Sequence, residues 1–192
     1  MNEAQAFEIV RKALKPRRFE HTERVVSEAS KLAERFGGNL EKIRLAAILH
    51  DYAKYRSYDE MRSTVLNNRH LPNRLLEYGN ELLHSFVGAV YVQEELKVDD
   101  DIILSAIRYH TTGRAGMTLE EKIVFLADYI EPGRTFPEAG QVRETAEADL
   151  DKGCLEALRN TIVFLSKKSL PVYPDTFEAY NEFAINLRAY GG

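Results

Sequence analysis

Apolar residues recur every three to four positions over nearly the whole chain, which is the period of an α-helix. The pattern is clearest over residues 17–36, where one face carries Phe19, Val25, Val26, Ala29, Leu32, Ala33 and Phe36. Gly37-Gly38 follows this stripe, as glycine commonly does after a helix. No strand pair with a hairpin turn and no internal repeat is present. The pattern predicts an all-α, single-domain helical bundle of about nine helices.

Capping and breaker residues set the predicted helix boundaries. Asn2 and Asn39 precede the first and third helices, and Ser57–Glu60 and Thr118–Glu121 have the spacing of capping boxes. Acidic residues 99–101 suit the positive end of a helix. The expected helices cover 2–14, 17–36, 40–53, a fourth from 57, a fifth from Pro72 to about Lys97 with a bend at Gly79, a sixth to His110, 118–130, and two or three more within 139–169 and 174–190.

Composition narrows the class of protein. The 192 residues are 44% hydrophobic and 29% charged, which is typical of a globular protein. The net charge is −4, and the only basic pair of note is Arg17-Arg18, so nucleic acid is not an expected partner. A single cysteine, Cys154, excludes a disulfide within the chain and a cysteine-based zinc site. A charged N-terminal segment and the lack of a run of ~20 apolar residues predict a cytoplasmic protein that does not enter membranes.

Several polar residues occupy positions that the helical pattern assigns to the core. The clearest case is the stretch LAAILHDYAK, residues 45–54, in which five apolar residues run directly into a histidine and an aspartate. Burying a polar group without a partner costs on the order of 2–7 kcal/mol. The residues concerned are His21, His50, Asp51, His84, His110 and Asp128. A fifth histidine, His70, lies in the polar segment NNRHLPNR and is expected to be exposed.

Each of these residues also has a simpler explanation. A lone histidine on an apolar face is more often a hydrogen-bonded core residue than a ligand, and Asp128 could cap a helix or pair with an arginine. Four histidines and two aspartates from five helices are better explained together, by one metal centre. Imidazole and carboxylate without thiolate favour Fe(II), Mn(II), Co(II) or catalytic zinc. Because neighbouring side chains on a helix diverge by about 100°, His50 and Asp51 share one ion only beyond the helix end or between elements, and Asp51 could bridge two ions.

Five segments in order, RRFEHTERV, LAAILHDYAK, HSFVGA, AIRYHTTGRAGMT and VFLADYIEPGR, span residues 17–134. Together they resemble the HD-domain superfamily of metal-dependent phosphohydrolases, and in particular the bacterial YqeK-type symmetrical bis(5′-nucleosyl)-tetraphosphatases. A lone HD doublet is a weak signal, whereas five ordered motifs are a specific one. The resemblance implies one domain over 1–192, with a motif core of about 17–134 and C-terminal helices 139–190 packed on it.

The resemblance also implies roles for individual residues. The implied ligands of the core metal, which is iron in family members that carry it, are His21, His50, Asp51 and Asp128. The implied substrate-binding residues are His21, His84, His110, Thr111, the phosphate clamp Arg134 and the nucleotide contact Tyr173. In dinuclear relatives the counterparts of His84 and His110 hold a second metal. The implied substrate is diadenosine tetraphosphate or a similar dinucleoside polyphosphate, and the implied products are two nucleoside diphosphates such as ADP or GDP.

The chemistry of phosphoanhydride hydrolysis suits these residue types. A divalent metal lowers the pKa of bound water, and Asp51 could orient or deprotonate that water. Lys54 lies three residues after Asp51 and four after His50, so on a continuous helix it would face phosphate on the same side. It could equally be an ordinary solvated lysine. Arg114, Arg134 and Lys54 are expected to offset the acidic net charge locally.

Three other interpretations remain. One is a different HD phosphohydrolase acting on nucleotides, either a nucleotidase or a phosphodiesterase. Another is a catalytically silent nucleotide-binding regulator, and the third is an all-α scaffold, which leaves the buried polar residues unexplained. A homodimer is also possible, because the last helix carries aromatic residues that could pack on a partner or on the core: Phe177, Tyr180, Phe183 and Tyr190.

Overall fold

The computed structural model describes residues 1–189, which contain ten α-helices, one short 3₁₀ helix and no β-strand. The helices are α1 (Glu3–Ala13), α2 (Pro16–Phe36), α3 (Leu40–Leu49), α4 (Tyr58–Asn67), the 3₁₀ helix (Asn73–Glu77), α5 (Asn80–Leu96), α6 (Asp101–Tyr109), α7 (Leu119–Ile130), α8 (Pro137–Ala148), α9 (Leu150–Lys167) and α10 (Pro174–Ala189). The all-α, single-domain prediction is confirmed.

Helices α2, α3, α6 and α7 pack against one another and enclose the main hydrophobic core. Helix α1 covers α3, and α8, α9 and α10 form a further layer through the contacts of α8 and α9 with α7. Helix α5 packs on α6 and in turn supports α4 and the 3₁₀ helix.

Helix α5 is the most enclosed helix of the bundle. Every residue from 82 to 92 is buried, so this helix has no solvent-exposed face over three turns. It contributes most of a second, smaller apolar cluster, and Tyr52 packs against both this cluster and the main core. His84 lies in the buried stretch and thus enters the interior on a rigid element.

The predicted end of the third helix was wrong. Helix α3 stops at Leu49 rather than at residue 53, and residues 50–55 form consecutive turns. Backbone hydrogen bonds there span three residues, from Tyr52 to Leu49 and from Lys54 to Asp51. The apolar spacing alone could not reveal this change, because tight turns and a helix place nearby side chains at similar intervals. His50 and Asp51 consequently lie at a helix end, where neighbouring side chains can converge.

Other boundaries were predicted closely, with two exceptions. The predicted fifth helix is divided into the 3₁₀ helix and α5, and Gly79 between them has a φ of +82°, which favours glycine. Ser57 caps α4, but the Glu60 carboxylate accepts from Arg56 instead of completing a capping box. The capping box of Thr118 is complete.

The aromatic residues of α10 are divided between core and surface. Phe183 is buried and Tyr180 is half-buried against the main core, whereas Phe177 is 44% exposed. Tyr190 lies outside the described residues. Across residues 1–189 no helix is long and apolar enough to cross a membrane.

Candidate functional site

The ends and inner faces of five helices converge on one polar centre. His21 comes from α2, His84 from α5 and Asp128 from α7, while the other residues follow the last turns of α3 and α6. Their ligand atoms fall into three overlapping groups, within each of which all atoms lie inside 4.8 Å of one another: His21, His50 and Asp51; His50, His110 and Asp128; Asp51, His84 and His110. The structure thus brings together all six residues that the sequence singled out as misplaced polar groups.

Asp51 lies at the middle of this centre. Its Oδ2 is 3.2 Å from Nε2 of His50 and 3.8 Å from Nε2 of His21. Its Oδ1 is 3.1 Å from Nε2 of His84. Since the two oxygens face different histidines, this carboxylate is placed to serve two adjacent ligand groups.

Three imidazoles are oriented by hydrogen bonds through Nδ1. His50 and His110 each donate from Nδ1 to a backbone carbonyl three residues earlier, at 2.7 Å, and His21 donates from Nδ1 to Oε1 of Glu131 at 3.0 Å. A proton on Nδ1 leaves the lone pair of Nε2 free, and this is how proteins usually orient metal-binding histidines.

The free nitrogens provide a test of whether a metal fits. Among residues 1–189, Nε2 of His21 and Nε2 of His50 are buried without a hydrogen-bond partner. Nε2 of His21 lies 3.0 Å from Oδ1 of Asp128, but not in line for a hydrogen bond. Buried polar atoms without partners are costly, and coordination to a cation satisfies them. The donor set and its orientation fit a divalent metal with nitrogen and oxygen ligands.

The electrostatics of the centre also favour a bound cation. Burial by itself would lower the pKa of His50, yet that pKa is raised because the Asp51 and Asp128 carboxylates attract positive charge. Burial would raise the pKa of Asp51 and of Asp128, but neighbouring histidines, together with Arg134 in the case of Asp128, hold both pKa values well below the ordinary range. Both carboxylates are therefore ionised at neutral pH.

His110 has the opposite shift from His50. Burial, reinforced by the charges of His50 and His84, lowers the pKa of His110 to about 3. The ring is therefore neutral at pH 7. Its Nε2 lies 3.1 Å from Nε2 of His84. Two nitrogens bound at about 2.1 Å to one ion are separated by roughly 3 Å when they meet at a right angle, so this pair also has a spacing compatible with a shared ion.

A basic cavity of about 300 Å³ opens beside His21, and four of its lining residues are arginines. Arg18 on its wall donates to Oδ2 of Asp51 at 2.9 Å, and Arg134 donates to Oδ1 of Asp128 at 2.8 Å. The cavity is lined by Arg17, Arg18, His21, Arg24, Tyr55, Glu131, Gly133 and Arg134. A cavity of this charge, in contact with a metal-type centre, is suited to phosphate groups.

Sequence reasoning missed most of the cavity wall. The sequence identified Arg17-Arg18 only as a short basic pair. It assigned no role to Arg24, Tyr55 or Glu131. One signal was available: Arg17, His21 and Arg24 follow at intervals of four and three on α2, so they share a face. Glu131 had no comparable signal, because its partner His21 lies 110 residues away in the chain.

Lys54 follows Asp51 by three residues and is paired with Glu81. Its Nζ donates to Oε2 of Glu81 at 2.7 Å, and the lysine side chain is only 15% exposed. The hydrogen bond from Lys54 lowers the pKa of Glu81, and the charges of His84 and Arg18 lower it further.

The remaining predicted residues occupy different surroundings. Thr111 is half-buried in the turn after His110, whereas its neighbour Thr112 is buried with a hydroxyl that lacks a partner within residues 1–189. Tyr173 is buried in the second apolar cluster, against Phe86. Arg114 is held by Glu121, outside the wall of the basic cavity.

Comparison with known proteins identifies relatives of nearly the same length. The family model described as "HD domain" matches residues 18–133. A Bacillus subtilis protein named "Bis(5′-nucleosyl)-tetraphosphatase, symmetrical" is 49% identical over 181 residues, which cover 94% of this chain and 97% of that protein. A protein of the same name from Halalkalibacterium halodurans is 47% identical over 188 residues, covering 98% and 100%.

A solved structure is similar over the whole fold. It is described as a predicted HD superfamily hydrolase involved in NAD metabolism, from Clostridium acetobutylicum. The two chains superpose with a TM-score of 0.87 at 31% identity, covering 97% of this chain and 98% of the other. The helical architecture is thus shared with an experimentally determined protein.

Proposed function

The chain belongs to the HD-domain family, and on that premise we propose that it is a symmetrical bis(5′-nucleosyl)-tetraphosphatase. The proposed reaction is the hydrolysis of a dinucleoside polyphosphate such as diadenosine tetraphosphate at its central phosphoanhydride, giving two nucleoside diphosphates. The observation that carries the proposal is the contact between a six-residue histidine–aspartate centre and a cavity lined by four arginines. Tetraphosphate needs both a metal-type centre and dense positive charge.

The proposed ligands of the metal are His21, His50, Asp51 and Asp128, and the metal is a divalent ion, most simply Fe(II), with Mn(II) or Co(II) as alternatives. Their free Nε2 atoms and ionised carboxylates support this assignment. When bound, such an ion supplies a hydroxide-like water at neutral pH and polarises a phosphoryl oxygen. A second ion would be held by Asp51, His84 and His110.

The arginines have the clearest role in substrate binding. Arg17, Arg18, Arg24 and Arg134 supply several N–H donors around one cavity, and guanidinium groups bind phosphate oxygens in a bidentate manner. The aromatic ring of Tyr55, 46% exposed at the same wall, offers a surface for a nucleobase. This local charge offsets the net charge of −4 of the whole chain.

Symmetrical cleavage requires two phosphates on each side of the bond that breaks. Asp51 has partners on two sides: Arg18 lies against Oδ2, and His84 lies against Oδ1. We propose that His84, His110 and Thr111 contact the phosphates on the second side, and that Tyr173 borders that part of the site. This arrangement supports a substrate that extends across the centre in both directions.

The low pKa of Asp51 refines its proposed role. A general base works best with a pKa near the operating pH, whereas this carboxylate stays ionised far below it. Asp51 is therefore better suited to hold and orient the attacking group than to accept its proton. Arg18 fixes Oδ2 of the same carboxylate at 2.9 Å, which limits its movement.

The direct experiment is product analysis with defined metal. Protein stripped of metal is reloaded with Fe(II) under anaerobic conditions, Mn(II) or Co(II), and incubated with diadenosine tetraphosphate. The expected product is ADP alone, and formation of ATP with AMP would contradict symmetrical cleavage. Asp51→Asn should abolish both hydrolysis and metal retention, whereas Asp59→Asn, an exposed aspartate of α4, should change neither.

The same assay separates the other interpretations. NAD, deoxynucleoside monophosphates and a cyclic dinucleotide are tested beside the tetraphosphate, since the Clostridium structure is described in terms of NAD metabolism. Faster turnover of any of these would assign a different phosphohydrolase activity. Tight binding of the tetraphosphate by metal-loaded protein without any turnover would instead support a nucleotide-binding regulator.

A further inference from the structure

Glu131 follows the last residue of α7 and is 2% exposed. Its side chain points toward α2, where Oε1 accepts from Nδ1 of His21 at 3.0 Å. Oε2 accepts from Nε of Arg24 at 2.5 Å and from the backbone N–H of Gly133 at 2.6 Å. One buried carboxylate thus contacts a proposed metal ligand, a wall residue of the basic cavity and its own loop.

The surroundings of this carboxylate are closely packed. A Cβ on Gly133 would lie 2.8 Å from Oε2 of Glu131 and 2.6 Å from Nη2 of Arg24, so a side chain here would have to displace one of these two groups. Arg24 and the Gly133 N–H can only donate, whereas an ionised carboxylate can only accept. The site is therefore satisfied by a carboxylate in a way that no uncharged side chain reproduces.

We infer that Glu131 is a positioning residue for His21, which it holds in the tautomer protonated at Nδ1 so that Nε2 is available to the metal. This inference rests on the proposed function to the extent that His21 is a metal ligand. Glu131 touches neither metal nor substrate. It acts through the imidazole, as carboxylates behind metal-binding histidines commonly do.

Replacement of Glu131 by glutamine is expected to change the tautomer of His21. In Glu131→Gln, the amide oxygen must face Arg24 and Gly133, because both are donors. The amide N–H₂ then faces His21, whose Nδ1 can pair with it only as an acceptor. The imidazole proton consequently moves to Nε2, where it blocks coordination. The side chain keeps its size, so the change in tautomer is separated from a change in packing.

Glu121, in the first turn of α7, provides a matched control. It is 1% exposed and accepts hydrogen bonds from Nε of Arg114 at 3.1 Å and from the backbone N–H of Thr118 at 2.8 Å. It is also the acceptor for Ser105. Glu121→Gln therefore disturbs an equally buried carboxylate network that does not contact the proposed ligands.

The experiment measures tautomer and metal affinity, neither of which depends on hydrolysis. In alkaline buffer, two-dimensional ¹H–¹⁵N spectra of metal-free protein, assigned with a His21→Gln variant, should show His21 protonated at Nδ1 in wild type and at Nε2 in Glu131→Gln. Affinity for Mn²⁺, measured by chelator competition, should fall by roughly 10- to 100-fold in Glu131→Gln, and Glu121→Gln should retain wild-type affinity.

Either of two results would overturn the inference: His21 protonated at Nε2 in metal-free wild type, or unchanged tautomer and Mn²⁺ affinity in Glu131→Gln. The wild-type spectrum decides the matter even where the variant does not fold. Failure of the proposed function has a different signature, since metal-loaded wild type would then bind Mn²⁺ normally and leave the tetraphosphate intact.

Discussion

The backbone of Gly133 packs directly against the guanidinium of Arg24, so that a Cβ on this glycine would lie 2.7 Å from Nε of the arginine and 2.6 Å from its Nη2. The arginine is fixed there by Glu131, and both residues line the basic cavity. The short loop after α7 therefore packs against the ion pair between Arg24 of α2 and Glu131, and Glu131 in turn contacts the proposed metal ligand His21.

Gly133→Ala should disrupt this loop. The added methyl group must displace Arg24 or Glu131, and we expect a loss of roughly 1–3 kcal/mol in stability, as for other overpacked sites, together with weaker metal binding. Urea unfolding and Mn²⁺ titration test both. Gly140→Ala is the matched control: no atom lies within 4 Å of a Cβ there, and in the α8 helix alanine should stabilise by about 0.5–1 kcal/mol. Equal effects at both glycines would contradict the steric explanation.

Arg17→Ala should weaken substrate binding more than it slows turnover. Arg17 is an exposed residue of the cavity wall, so its loss removes a contact to phosphate without disturbing the buried centre. Hydrogen bonds to charged groups contribute about 1.5–3 kcal/mol, and we expect KM to rise roughly tenfold or more with kcat changed little. Steady-state kinetics provide the test, with Arg62→Ala, an exposed arginine of α4, as control. A fall in kcat at unchanged KM would place Arg17 outside the binding role.

Substitutions of the two residues of the Lys54–Glu81 pair are expected to change kcat/KM in opposite directions. If Lys54 contacts phosphate, Lys54→Gln should lower kcat/KM, whereas Glu81→Gln should maintain or raise it by releasing the lysine. Stability should change little in Glu81→Gln, because the Glu81 side chain is 87% exposed. Kinetics and thermal unfolding of both variants are compared. A similar loss of activity in both would indicate that the pair acts only structurally.

His84→Gln distinguishes a second ion from a purely phosphate-binding role. Because Asp51, His84 and His110 form one of the three ligand groups, we expect this variant to bind fewer Mn²⁺ ions per chain than wild type by equilibrium dialysis. The ion held through His21 and His50 should remain. If the number of Mn²⁺ ions per chain is unchanged but inorganic phosphate inhibits hydrolysis less strongly than in wild type, His84 would be assigned to phosphate binding instead.

Asp100 caps the N-terminus of α6, and its contribution to the stability of the protein depends on pH. Its Oδ1 accepts from the N–H groups of Ile102 and Ile103, and its Oδ2 pairs with Lys42 at 2.7 Å. The hydrogen bond from Lys42 lowers its pKa, so its contribution is present above the unfolded pKa of about 3.9 and is lost as pH falls through the lower folded value.

Asp100→Ala should therefore cost about 1 kcal/mol at pH 7 and progressively less in acid. Asp100→Asn, which keeps a capping oxygen, should cost less at pH 7. Urea unfolding across this pH range measures both differences. A cost of Asp100→Ala that stayed constant as the solution was acidified would show that the carboxylate charge does not contribute.

The sequence by itself determined the helical class and the six polar residues of the centre. Both follow from local rules: apolar spacing sets the helix, and histidine or aspartate on an apolar face is costly unless partners offset it. His50 and Asp51 could be singled out for this reason without knowing where α3 ends.

The tertiary structure decided what lies around them. Arginines also occur commonly on solvated surfaces, so the sequence does not reveal that four of them line one cavity. Both this arrangement and the hydrogen bond between His21 and Glu131, which are 110 residues apart, depend on how α2 packs against α7. Burial of a polar group can be inferred from its neighbours in sequence, but the identity of its partner is set by the angles at which helices meet.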